Sequence, residues 1–233
     1  MNGLKIKIAL GIIVGLFAAS SAYAAIANTK HDLSFFTTAF EPLSSYATTE
    51  PEICIFCHTP HGGDNVAPLW NRSLPAAGAF TFYSSSTTTA AVNSVAAIND
   101  ESLLCLSCHD GSIAINSLLN TSPSGTPVVM EQGPGPVPIF GSSGANPRIG
   151  GAPGDESGTG HLEDDHPISF NYSAAATDVN ETGLEPVPTN AALRLFNGNM
   201  ECSTCHEVHD NAIPPFLAMD NTGSAMCLAC HIK

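Results

Sequence analysis

Positive charge is scarce in this chain. Seven Lys and Arg residues face 21 Asp and Glu, giving a formal net charge of −14 over 233 residues. That deficit argues against nucleic acid as a partner, because binding a phosphate backbone takes clustered cations. Charged residues of either sign make up only 12% of the chain, against about 25% in ordinary domains. Long apolar runs at helical or strand period are also few, so a polypeptide-only core of normal size is hard to assemble. The one run that stands out, from Ile8 to Ala19, falls short of the roughly 20 residues a membrane-spanning helix needs, so no membrane anchor is expected. Lys5 and Lys7 precede this run and the small residues Ala22 and Ala24 follow it, so residues 1–24 read as an export signal cleaved after Ala24. No cysteine follows the cleavage point to carry a lipid. Losing the signal removes two lysines and no acid, which takes the formal net charge from −14 to −16. The mature chain, 25–233, is expected to be exported and soluble.

Cysteine occurs in one arrangement only. All eight cysteines fall in four Cys-x-x-Cys-His segments: Cys54 and Cys57 with His58, Cys105 and Cys108 with His109, Cys202 and Cys205 with His206, and Cys227 and Cys230 with His231. Two cysteines three positions apart lie on one side of a helical turn, where both sulfurs can add to the two vinyl groups on one edge of a haem. The histidine that follows faces the iron as proximal ligand, and the thioether bonds keep the cofactor in place. Zinc binding and disulfides are the competing readings. Zinc sites do not require His directly after the second Cys, and disulfide scaffolds do not require the same spacing in every pair. Four motifs of four ending in His therefore predict four covalently bound haem c groups.

Nine histidines are present, and five lie outside the motifs: His31, His61, His161, His166 and His209. Four irons need four sixth ligands, so every haem can be bis-histidine with one histidine to spare. An iron with two strong protein ligands has no open site for substrate, so electron transfer is expected rather than catalysis. His61 and His209 each follow a motif histidine by three positions and project from the same side of the segment. Neither can cap its own haem, so each is expected to reach the iron of a neighbouring one. In His166-Pro167 the proline fixes an extended backbone that presents the ring rigidly. His31, near the mature N-terminus, is the first candidate for a ligand given to another subunit. His161, at the end of a Gly-rich stretch, is the expected spare. Met130, Met200, Met219 and Met226 could ligate in principle, but the histidine supply makes them better read as gap-filling contacts, and Trp70 as packing against a haem.

The expected fold is mostly irregular coil, with short helical turns carrying the haem motifs, a few short strands, and a core filled by four haems. Helical turns are expected at Ser102–His109 and Met226–His231, and strand-like structure near Ala79–Tyr83. A Gly-, Pro- and Ser-dense stretch from about 120 to 160 reads as a long surface loop. One compact unit is favoured over two domains, because neither half has the apolar residues to bury a core alone.

The strings Lys30-His31-Asp32-Leu33-Ser34, C-I-F-C-H-T-P-H from Cys54, C-L-S-C-H-D-G from Cys105, D-D-H-P-I-S-F around His166, C-S-T-C-H-E-V-H from Cys202 and C-L-A-C-H from Cys227 resemble the small extracellular tetrahaem cytochromes of metal-reducing bacteria, the OmcE-like cytochrome nanowire subunits. The resemblance spans the mature chain. It implies bis-histidine ligation with His31, His61, His166 and His209 as distal ligands, and a homopolymer in which one axial histidine crosses between subunits. It also implies an extracellular or cell-surface location, with redox proteins or external acceptors as partners. A soluble periplasmic electron shuttle is the alternative, and a haem reductase of small oxyanions, needing a five-coordinate iron, is a rival of a different class.

Overall fold

The computed structural model describes residues 25–35, 46–67, 69–121, 125–137, 139, 148–149, 160–178 and 183–232. The expected export signal, 1–24, lies outside the described residues, as does much of the 120–160 stretch. Among the described residues, no helix is long and apolar enough to cross a membrane.

Regular structure is sparse and short. The longest helix, α2 (Asp100–His109), is ten residues; α1 (Ala90–Asn93), α3 (Tyr172–Ala176), α4 (Cys202–Cys205) and α5 (Ala225–Leu228) are single turns. Single 3-10 turns cover Cys54–Phe56 and Thr222–Ser224. The strands β1 (Thr81–Phe82), β2 (His161–Leu162), β3 (Phe170–Asn171) and β4 (Asn199–Met200) are two residues each. β1 pairs with β2 in parallel, Thr81 opposite His161, and β3 with β4 antiparallel, Phe170 opposite Met200.

Local chemistry explains where helices begin and end. Asp100 and Glu101 open α2, where acidic groups favour the positive end of the helix, and Leu103 and Leu106 bury its inner face. The chain leaves α2 through Gly111, whose φ of +72° suits a residue without Cβ. Thr89 and Asn171 accept hydrogen bonds from the backbone N–H groups of Val92 (3.3 Å) and Ala174 (2.9 Å), capping α1 and α3.

The apolar core is divided into three small clusters, and each one abuts a cysteine motif. Phe56, Ala47, Ile115, Val128, Met130 and Val137 pack with Cys57 and Cys108. Phe80, Ile98 and Leu162 pack with Leu103 and Leu106 on the leucine face of α2, the helix that carries the second motif on its other side. Tyr172, Phe170, Leu193 and Met200 surround Ala229 and Cys230 of the fourth. Part of the expected surface loop is therefore a packed segment. Val128, Met130 and Val137 are buried, Asn116 donates to the Gly135 carbonyl (2.7 Å), and the Val137 N–H donates back to Asn116 Oδ1 (3.0 Å). The side chains of one apolar run, Val128-Val129-Met130, outweigh the loop-like composition around it.

Glu201, 1% exposed, joins three segments distant in sequence. Its carboxylate accepts from Asn99 Nδ2 (2.6 Å), from Ser102 Oγ and from Ser169 Oγ (3.0 Å), while Ser102 Oγ accepts from the Cys202 N–H (3.1 Å). The second motif, the third motif and the segment after His166 thus meet on one buried acid. Glu201→Ala would strand its three donors, and about 3 kcal/mol of stability should be lost, read as a fall in the denaturant midpoint. Burial pushes the Glu201 carboxyl above its usual range despite the hydrogen bonds donated by Ser102, Asn99 and Ser169. The folded chain then holds this proton more tightly than the unfolded chain, so stability from this group declines as pH rises from the ordinary carboxylate range through the raised folded value. Glu201→Gln, which cannot ionise, should flatten that part of the pH–stability curve.

Candidate functional site

Each cysteine motif closes a single helical turn on itself. The N–H groups of His58, His206 and His231 donate to the carbonyls of Cys54 (2.7 Å), Cys202 (3.1 Å) and Cys227 (2.9 Å), and the second motif lies within α2. This holds both sulfurs of a pair on one side of the turn and sends the histidine out next to them. A returning segment then braces each motif. Asn71 N–H donates to the Cys57 carbonyl (2.9 Å), Ala218 N–H to that of Cys205 (2.9 Å), Glu185 N–H to that of Cys230 (2.8 Å) and Ile149 N–H to that of His109 (2.6 Å). The first and third motifs share this arrangement closely, with bridges between His58 and Trp70 and between His206 and Leu217.

All eight sulfurs are free, with none in a disulfide. Thiols of successive motifs adjoin one another: Cys57 feels Cys108, Cys105 bonds Cys202, and Cys205 feels Cys230. Burial pushes the Cys57 thiol up to about 12 and the Cys205 thiol up to about 11. The Cys105 thiol donates to Cys202, which raises Cys105 and lowers Cys202. The attachment edges of the four motifs are thereby laid out in sequence order, first to second to third to fourth.

The histidines form facing pairs. His58 and His209 have ring centres 6.2 Å apart with planes 19° from parallel; His31 and His109 stand 6.0 Å apart at 80°, and His166 and His231 6.4 Å apart at 75°. Two metal–imidazole bonds of about 2 Å, each with about 1.1 Å more from nitrogen to ring centre, place the centres roughly 6 Å apart. The spacing of each pair is therefore the one that an iron held between two imidazoles would require. Among the described residues no cluster of three or more His, Cys, Asp or Glu groups could hold a metal ion by itself. Each imidazole pair needs further donors in the plane between its rings, which is what the four nitrogens of a porphyrin provide.

His31 is held below the ordinary histidine range, at about 4, first by burial and then by the nearby His109, His206 and His209. It is neutral at pH 7, with a nitrogen lone pair available for a metal. His31, the first candidate for a ligand given to another subunit, is stacked on Phe216 (4.4 Å between ring centres) and stands opposite His109. The reason lies in the N-terminal turn: Asp32 accepts from Ser34 Oγ (2.6 Å) and from the Asn28 N–H (2.8 Å), and Ala25 N–H donates to the His209 carbonyl (2.7 Å). His161 is half-exposed on β2, its Nδ1 3.1 Å from Glu163 Oε1, and faces no other histidine. His61 is exposed, and His206 has no second imidazole in ring contact.

Met130 and Met200 are buried in the apolar clusters, and Trp70 packs edge-on against His58 at 5.6 Å. Sequence reasoning missed Glu201, Arg72 and Phe216. An acid directly before a Cys-x-x-Cys-His motif and an arginine two positions after the lone tryptophan carry no local signature, and their roles appear only through contacts many residues away.

Closed Cys-x-x-Cys-His turns, free sulfurs and histidines spaced to grip a metal from two sides define covalent haem c attachment, the kind of site that c-type cytochromes carry. A family model described as Doubled CXXCH motif matches residues 196–233, spanning the third and fourth motifs. No curated protein matches the chain. The matched motif pair points to haem-based electron transfer.

Proposed function

We propose that this chain is an electron carrier with four bis-histidine haem c groups, exported as one tetrahaem unit and assembled into an extracellular filament. The observation that carries this reading is an imbalance at two histidines. Among the described residues, His206 has no imidazole in ring contact, while His61 is exposed and has none either. A second copy of the chain satisfies both, if His61 of one subunit is the sixth ligand at the His206 site of the next. The subunit-crossing role thus moves from His31 to His61.

Bound haem supplies a one-electron iron couple that needs no substrate at the metal when both axial positions are filled. The chain's part is geometric. Its adjoining cysteine pairs hold the attachment edges in series, and its paired imidazoles keep His58, His109 and His231 from presenting an open site. Its acidic surface suits cationic redox partners or oxidised metal surfaces.

Size-exclusion and electron microscopy of the secreted, haem-loaded protein test the reading. Polymers that fall to monomers on His61→Ala are expected, with one haem of each monomer turning high-spin. A wild-type protein that is strictly monomeric with four low-spin haems would instead make it a soluble shuttle. The open face of His206 favours one further reading, a reductase of small oxyanions acting there. A high-spin haem that persists in every assembly state would support it.

A further inference from the structure

Arg72 is completely buried. Its guanidinium donates to three backbone carbonyls, from Nη1 to Ile115 (2.7 Å) and from Nη2 to Ala114 (2.8 Å) and Ser107 (3.1 Å), and its Nε has no partner. Among the described residues no carboxylate lies in ion-pair contact with it. An arginine without a counter-ion is expensive to bury, and neutral carbonyls disperse its charge without cancelling it.

Its position is specific. Ser107 lies between the two cysteines of the second motif, and the neighbouring Asn71 is bonded to the Cys57 carbonyl of the first. The guanidinium acts electrostatically on the Cys108 and Cys57 sulfurs, opposing the rise that burial imposes on both thiols. One permanent charge thus sits where the first two motifs meet. Asp110, also buried, follows the second motif and is bound by Ser112 through both oxygens, so the charge is partly offset there and less so at the first motif. Among the described residues nothing comparable stands at the other end: Arg194 is exposed and 3.7 Å from Glu207.

We propose that Arg72 raises the reduction potentials of the haems attached at Cys54/Cys57 and Cys105/Cys108, the first most, and so makes this end of the unit the one where electrons settle. This rests on haem attachment at those two motifs. Adding an electron takes a bis-imidazole ferric porphyrin from one net positive charge to none, so a nearby fixed cation favours the reduced state. Excluding water strengthens the effect.

Redox titration of the haem-loaded chain, with haems resolved by paramagnetic NMR or EPR, tests this. In Arg72→Met, the reduced-to-oxidised ratio of the first-motif haem at a fixed potential should fall roughly tenfold, about 59 mV for one electron. The second-motif haem should fall less, and the third and fourth should hold. Arg72→Lys at neutral pH should stay near wild type. Midpoints unchanged in Arg72→Met would overturn the proposal, as they would if a haem carboxylate pairs with Nε and cancels the charge. Should Arg72→Met fail to mature, Arg72→Lys decides alone. A buried lysine sheds its proton as pH rises, so its first-motif midpoint should drop at high pH relative to wild type, and an unchanged difference would overturn the proposal. The mass of the wild-type chain separates the two levels: no haem at the first two motifs defeats the functional reading, whereas loaded haems that ignore Arg72 defeat only this inference.

Discussion

Alanine in place of His209 should turn one of the four proposed haems of the loaded protein from low-spin to high-spin and leave the other three as they were. His209 is the ring that stands opposite His58, with the ring centres 6.2 Å apart. The same holds for His31 opposite His109 and for His166 opposite His231, so either change should cost one low-spin haem at a different motif. His161→Ala should leave the spectrum intact, because that ring is engaged with Glu163 and faces no motif histidine. Absorption and EPR spectra of the four variants check this. Two high-spin haems from a single change, or none from His209→Ala, would contradict the pairing. Because each expected change is the full loss of an axial ligand, it should appear as about a quarter of the haem signal in each affected variant.

A chain that cannot attach haem, with all eight motif cysteines changed to alanine, should have no cooperative fold. Among the described residues, the strands are two residues long, four of the five helices are one turn, and the three apolar clusters each lean on a cysteine motif. Single turns have no stability of their own in water, and isolated two-residue pairings have less. The net stability of a domain is only about 5–15 kcal/mol, so removing the groups that join these clusters should remove all of it. Circular dichroism of coil, rapid proteolysis and the absence of a thermal transition are expected. A sharp, reversible unfolding transition in this variant would show that the polypeptide core suffices.

The haem motifs were legible because their chemistry is local. Cys-x-x-Cys-His spans five residues, and the turn that places both sulfurs on one side follows from backbone geometry alone, as the His58 to Cys54 and His231 to Cys227 hydrogen bonds illustrate. The helical turn expected at Ser102–His109 was readable for the same reason, and the helix found there begins two residues earlier, at Asp100. The stretch 120–160 misled in part, because glycine and proline content describes average behaviour, whereas Val128, Met130 and Val137 are buried individually.

Taken alone, the order of residues determined that the chain is acidic, that its eight cysteines fall in four Cys-x-x-Cys-His motifs, and that five histidines lie outside them. Only the tertiary structure decided which imidazole faces which, that His31 stacks on Phe216, that Glu201 locks the second motif to the third, and that Arg72 lies buried between the first and second. The reason is physical. Attachment depends on bonds within one helical turn, whereas pairing, burial and charge placement depend on distances between residues tens to more than a hundred positions apart, which exist only once the chain is folded.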